Sequence, residues 1–301
     1  MRVLLLFPQR DGQTGPAIKY AFESLGHKVL AVDAKREAFN SYNVACHFMP
    51  NLVFCSRTYL LETEVSRIKE RFKDVKICMW NVDTRNSIHE WEFLFPLIKL
   101  CDYYFVIASG QLFDWRKINP NTFWLPQGLQ EEVYHKPDGI NKSDILKYGC
   151  DVSFAGSCTG YHSWRVPYLE AIDKMGLDFQ LWGCGYRPQV YNEEHNKMVA
   201  CSKINLGLSG WHSNGKYVSV RDYKILGAGG FLLEYAQEGL EYVMDTVAIY
   251  HNTESLCKNI NYWLANPYER KQIAEAGHAW VHANATYTHR IQRALEIMGL
   301  K

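Results

Sequence analysis

The chain has no CxxC pair, no Asp-x-Asp, no apolar run long enough to cross a bilayer, and almost no excess of charge of either sign. With 33 Lys and Arg against 32 Asp and Glu, the net charge is +1. That removes any broad electrostatic case for nucleic acid or an anionic membrane, although a local basic groove stays open. The nine cysteines are scattered and odd in number, which weakens both zinc and redox readings. Cys158 and His162 are near neighbours, but no second pair accompanies them. Free, mostly buried thiols in a reducing cytosol are the expectation. The Val3–Phe7 run stops at Pro8, too short for a signal sequence or a membrane span. The expected location is therefore cytoplasmic, and the sequons at Asn141 and Asn284 carry no meaning there.

What is present is a strand–helix alternation. The chain of 301 residues, 47% hydrophobic and 22% charged, is long enough for two domains, each with its own core. Short apolar runs predict strands at Arg2–Phe7, Lys28–Val32, Leu52–Cys55, Lys76–Trp80, Tyr103–Ile107 and Thr122–Leu125. Amphipathic stretches such as Pro16–Leu25, Leu60–Phe72 and Glu90–Leu100 fall between them, with Gly26 placed to end the first helix. The second half repeats the scheme at Asp151–Ala155, Asp178–Trp182, Lys203–Leu208, Gly230–Leu233 and Val247–Tyr250. Such alternation implies parallel sheets covered on both faces. Gln127–Asn141 is polar and irregular and reads as the linker. Pro267–Met298 reads as a long helical ending.

The stretch Ser202–Glu234 is the most informative. It reads strand, loop, helix, turn, strand, with His212, Asn214, Gly215 and Lys216 in the loop. Ser219 and Asp222 have capping-box spacing. A helix start presents free N–H groups and a positive dipole end, a ready anion site. Lys216, Arg221 and Lys224 surround it, which suggests a phosphate-bearing ligand at the carboxyl edge of a parallel sheet.

Arg221-Asp222-Tyr223-Lys224 followed by Ile225–Gly230 and Phe231-Leu232-Leu233-Glu234 resembles the C-terminal domain of GT-B-fold glycosyltransferases, most closely the CgeB-like, spore-maturation-type group. Asp151–Ser157 resembles the strand that opens that domain. Thr253–Leu256, Tyr262–Leu264, Pro267–Arg270, Ala276–His278 and Tyr287–Arg290 resemble its closing helices. The likeness covers roughly residues 150–295 and is weaker before that, where Trp80-x-x-Asp83 is the familiar element.

The resemblance implies an α/β chain of two Rossmann-like domains with parallel sheets facing across a cleft. It assigns 1–135 to the acceptor side and 136–278 to the nucleotide sugar, and sends the helix in 279–301 back onto the first domain. Arg165 then falls where related enzymes hold a diphosphate, or else it is a surface arginine. Lys224 stands where the family usually has an acid for the ribose hydroxyls, and a lysine cannot accept those bonds. Ribose contact would pass to Asp222, which also reads as a cap, or to Glu234 at a strand's carboxyl end. Gly183 and Tyr186, with Trp182 and Arg187, sit in the turn that would meet the base. Gly12 and Gly15 lie in a loop that would approach the transferred sugar, or is only a loop.

Asp83, just past an apolar strand, reads as a general base or as a cap of the Thr84–Ser87 turn. His212 is a second catalytic candidate and His89 a lesser one. No paired carboxylate marks a metal site, so basic groups would hold the leaving diphosphate. The resulting expectation is a metal-independent, cofactor-free hexosyl- or pentosyltransferase using a nucleotide-diphosphate sugar. The acceptor, a small molecule, glycan, protein or modified DNA, stays open. A nucleotide-sugar epimerase and an idle sugar-nucleotide-binding or structural protein are the alternatives.

Overall fold

The computed structural model describes residues 1–10, 12–33, 40–56, 61–211, 213–242, 244 and 246–300. They form two units. One comprises Met1–Gln127, Ser213–Tyr217 and Tyr287–Lys301; the other comprises Gly128–His212 and Val218–Thr286.

In the first unit, six parallel strands, β1 (Arg2–Phe7), β2 (Lys28–Asp33), β3 (Leu52–Ser56), β4 (Lys76–Asn81), β5 (Tyr103–Val106) and β6 (Thr122–Trp124), lie in the order β2-β1-β3-β4-β5-β6. Both faces are covered, so consecutive residues of one strand feed different cores. Leu4, Leu6, Val53, Cys55, Ile77 and Met79 point to one core. Val3, Leu5, Phe7, Phe54, Cys78 and Trp80 point to the other. This is why the strands read as unbroken apolar runs rather than as alternating ones.

Helix α1 (Thr14–Ser24) covers the second face with Ala17, Ile18, Ala21 and Phe22. The first core also takes α2 (Ser41–Phe48) and α3 (Glu62–Arg71). The expected helix Glu90–Leu100 divides into a 3-10 turn, Ile88–Leu94, and α4 (Phe95–Leu100). Ser87 starts it with a capping box to Glu90, and Pro96 lies in the first turn of α4. Leu112–Ile118 forms α5.

The second unit opens with α6 (Lys142–Tyr148). Its five parallel strands, β7 (Cys150–Ala155), β8 (Phe179–Trp182), β9 (Ser202–Leu206), β10 (Leu232–Tyr235) and β11 (Ala248–Tyr250), are ordered β11-β10-β9-β7-β8. Here α7 (Val166–Asp173) follows β7, α8 (Asn192–Cys201) precedes β9, and α9 (Val220–Gly227) joins β9 to β10. The chain leaves β7 for β8 on one side, then returns to place β9 on the other. The carboxyl ends of β7 and β9 are thus the switch point where open α/β sheets open a crevice.

The unit closes with α10 (Thr253–Ala265) and α11 (Pro267–Asn284). The helical ending is interrupted at Ala285–Thr286, where the Leu129 N–H donates to Ala285 O at 2.7 Å and Leu129 bridges Thr286. The last helix, α12 (Tyr287–Met298), belongs to the first unit. There Tyr287, Ile291, Ala294 and Leu295 join the core beside α1.

One expectation about cysteine fails. Cys158 and Cys184 form a disulfide, with Cα atoms 5.4 Å apart, while the other seven are free. The turns after β7 and β8 are adjacent because β7 and β8 pair from Val152/Phe179 to Ala155/Trp182, and sequence distance hid this.

Candidate functional site

The site grows from the switch point of the second sheet. Ser219 caps α9: its side chain accepts from the Arg221 N–H, and Asp222 returns a bond to the Ser219 N–H. That is the capping box read from the sequence, and it orients the first turn of α9 towards the β7 and β9 ends. Arg221 Nε donates to Ala155 O, at the end of β7, and Nη1 donates to Leu208 O, just beyond β9, at 3.4 Å. The guanidinium therefore spans the switch crevice. It lies 4.8 Å from the centre of the Phe154 ring and over Gly156, where an added Cβ would overlap Nη2.

Arg165 joins it. Its guanidinium carbon is 5.6 Å from the same Phe154 ring, and Nη1 donates to Ser157 O at 2.6 Å. At 2% exposure it is not a surface arginine. His162 is half-buried beside both, and an added Cβ on Gly210 would touch its ring and Arg165. Burial first, then the charges of Arg165 and Arg221, lowers the His162 imidazole to about 4, so it is neutral at ordinary pH.

Behind Arg221, a pocket of about 160 Å³ is lined by Gly156, Trp182, Gln189, His195, Ser219, Arg221 and Lys224 among others. Lys224 is half-buried with its ammonium 4.4 Å from the Tyr134 ring. Loss of water around it, then Arg221, brings it down to about 8. His195, 5% exposed, packs edge-on to Tyr134 and offers an unpartnered Nδ1. Burial, then Lys224 and Arg221, drives it to about 3. His162 and His195 were not anticipated. The pairing of β7 with β8 and β9 brings the segments that carry them beside Arg221.

Three cations thus share one sheet edge with the start of a helix. Such an arrangement suits an anion of two or more charges. Among the described residues there is no group of three or more His, Cys, Asp or Glu able to bind a metal.

The other expected residues are distributed as follows. Asp222 and Glu234 are completely buried and lie against one another beneath the first turn of α9. Gly183 adopts φ +85° in a turn closed by its N–H donating to Arg187 O at 2.9 Å. Tyr186 is 80% exposed there. A larger pocket of about 550 Å³, beside α7 and the edge strand β8, includes Tyr186 and Arg187 but neither Arg221 nor Lys224.

Lys216 departs from the expected grouping. It belongs to the first unit, adopts φ +54° and places its ammonium 5.3 Å from the Trp124 ring. The Ser109–Gly110 backbone bonds to Asn214 and Gly215 explain that attachment. Gly12, with φ +74°, lies in the turn from β1 to α1, while Gly15 is buried in the first turn of α1, tight against Pro8 O. Asp83 is exposed just past β4, with its N–H donating to Asn81 Oδ1 at 3.2 Å. His89 is exposed and bonded to Glu92 at 2.6 Å. His212 lies outside the described residues.

Residues 165–296 match the family model described as glycosyl transferase-like, under half of the chain. No curated protein sequence matches. Among solved structures, trehalose-6-phosphate synthase OtsA aligns with TM-score 0.73 at 8% identity over 100% of both chains. The structure described as trehalose-6-phosphate from E. coli bound with UDP-2-fluoro glucose aligns with TM-score 0.72 at 9% identity, again over 100% of both. A UDP-N-acetylglucosamine 2-epimerase aligns with TM-score 0.56 at 12% identity over 99% of this chain and 97% of that one. The likeness is one of fold, the GT-B-like pair of parallel-sheet α/β units. No helix among the described residues is long and apolar enough to cross a membrane.

Proposed function

We propose that the protein is a glycosyltransferase that takes its sugar from a nucleoside-diphosphate donor bound at the second unit's switch point. The observation that carries this reading is the Arg221 guanidinium, bonded to the end of β7 and to Leu208 just beyond β9 at the start of α9. The glycosyl transferase-like match over 165–296 includes Arg165, Arg221 and Lys224, and a structure of similar fold is described with a UDP-sugar analogue.

In this reading the diphosphate lies against Arg221 and Arg165 at the start of α9. As the glycosidic bond breaks, negative charge grows on the departing diphosphate. Fixed cations at the sheet edge meet that charge without reorganising, which is the most effective form of transition-state stabilisation. Lys224 adds a third charge below about pH 8. These groups substitute for a divalent metal, and the reaction is metal-independent. His162 and His195, neutral at ordinary pH, serve as hydrogen-bonding groups and not as counter-charges. Asp83, exposed just past β4, takes the acceptor's proton.

The motif order from Arg221 to Glu234 supports the CgeB-like group, and Lys224 sets this chain apart from that group's usual acid. The fold shared with a UDP-N-acetylglucosamine 2-epimerase supports a second reading, isomerisation of the sugar while it stays on the nucleotide.

A thermal-shift series with uridine, guanosine, thymidine and cytidine diphosphates identifies the base, because a bound ligand raises the melting temperature by mass action. The matching nucleotide sugars are then incubated with the protein and candidate acceptors. A transferase releases the nucleoside diphosphate as a glycoside forms. An epimerase returns an isomerised nucleotide sugar, and binding without turnover means an idle protein.

A further inference from the structure

Beneath the anion site lies a closed polar cluster that the proposed transfer does not use. Ser209, Asp222 and Glu234 are each 0% exposed. Ser209 Oγ donates to Asp222 Oδ2 at 3.0 Å, and the Ser209 N–H donates to Glu234 Oε1 at 3.4 Å. The Ser219 N–H reaches the same Asp222 Oδ2 at 3.2 Å and Ser209 Oγ at 3.4 Å. Asp222 Oδ1 and Glu234 Oε2 receive no bond from any N–H or hydroxyl; the two buried carboxyls, both held on Ser209, face one another.

Gly207 makes this packing possible. Its Cα lies against the Glu234 carboxyl, where an added Cβ would overlap Oε2. Tyr250 donates its hydroxyl to Gly207 O at 2.9 Å and closes the other side. The groups facing the pair are Arg221 on α9 and Tyr250 on β11, with Tyr168 and Tyr235 behind Tyr250.

Carboxylates only accept hydrogen bonds, so a bond between two of them requires a proton. Two buried like charges in contact do not both ionise. Burial raises both acids, Glu234 well above the ordinary range with Asp222 adding to the rise, while Arg221 opposes it.

We propose that Asp222 and Glu234 share one proton and act as a positioning pair that pins Ser209 and the first turn of α9, and so holds Arg221 at the switch point. Above the ordinary carboxyl range the folded protein keeps a proton that the unfolded chain has released. Stability therefore falls as pH rises through that window. When the pair finally releases its proton to solvent, two adjacent buried charges remain, and the turn that carries Arg221 loosens.

The positioning role rests on the anion site proposed above; the shared proton does not. Infrared difference spectroscopy of the ligand-free protein at neutral pH should show the C=O stretch of a protonated carboxyl in the wild type and lose it in Glu234→Gln. The Gln amide keeps a donor towards Asp222 without needing a proton. The melting temperature of the wild type should fall relative to Glu234→Gln as pH rises. Inorganic pyrophosphate, which needs no base recognition, probes the positioning. Its affinity should fall more steeply with pH in the wild type than in Glu234→Gln, by up to about tenfold per pH unit when one proton is linked. Comparing variants cancels the titration of Lys224.

A wild type without the carboxyl band, or a band that survives in Glu234→Gln and Asp222→Asn alike, overturns the shared proton. Parallel pyrophosphate profiles overturn the positioning role. A wild type that binds no pyrophosphate at any pH overturns the anion site and the positioning role with it, while the infrared band still judges the pair. If Glu234→Gln does not fold, Asp222→Asn supplies the same comparison.

Discussion

Replacing Arg221 with alanine should weaken nucleoside-diphosphate binding by about 1.5–3 kcal/mol, the usual worth of a hydrogen bond to a charged group. The structure sets this scale. Nε and Nη1 are already engaged with Ala155 O and Leu208 O. Nη2, lying over Gly156, is the arm left to meet an anion. At 1.4 kcal/mol per factor of ten, the loss is about 10- to 150-fold in affinity. The substitution also removes two bonds to backbone carbonyls and the contact with Phe154, so folding stability should drop by about 1–3 kcal/mol. Arg221→Lys separates the two effects. It keeps the charge but cannot span both carbonyls, so its affinity should lie between wild type and alanine. The assay is isothermal calorimetry with the diphosphate chosen by thermal shift, alongside a urea melt. An Arg221→Ala protein that is folded and binds with unchanged affinity would remove this residue from the site and refute the reasoning.

Lys224 is lowered to about 8, so it is a cation below that pH and neutral above it. Diphosphate affinity should decline as pH rises through about 8, and Lys224→Met should flatten that decline; equal slopes in both proteins would show that the ammonium does not face the ligand. Asp83→Asn should cut turnover by about 10²–10⁴-fold while nucleotide binding and melting temperature hold, whereas preserved turnover would leave Asp83 as a turn residue. Transferase activity should persist in EDTA, and loss restored by manganese or magnesium would contradict the assignment of the diphosphate to basic groups.

The strand framework was legible because burial on both faces writes itself as continuous apolar runs. Arg2–Phe7 is found where expected, and most other strands differ only at their ends. The cap of α9 was legible too, since Ser219 and Asp222 act locally. Long-range chemistry was not. Glu234 was expected at a strand end as a ligand contact, but β10 runs Leu232–Tyr235 and turns it inward against Gly207. A buried acid needs a partner from another element, and no local pattern announces Asp222 as that partner. Arg165 likewise reads as the surface of an amphipathic helix until Phe154 and Ser157 O are brought beside it. Lys216 is close to Arg221 in sequence, yet Ser213–Tyr217 belongs to the first unit because its backbone pairs with Ser109 and Gly110. The 3-10 start at Ile88 follows from Ser87 and Pro96, but their spacing also fits an ordinary helix.

The central claim is that the second unit binds a nucleoside-diphosphate sugar at the switch point through Arg221 and Arg165. Equilibrium calorimetry of the folded protein against a panel of uridine, guanosine, thymidine and cytidine diphosphate sugars, repeated with the Arg165→Ala, Arg221→Ala double variant, tests it directly. The account predicts saturable binding of at least one donor by the wild type without added metal, and its loss in the double variant. Absence of binding across the panel, or binding that survives in a folded double variant, would contradict it.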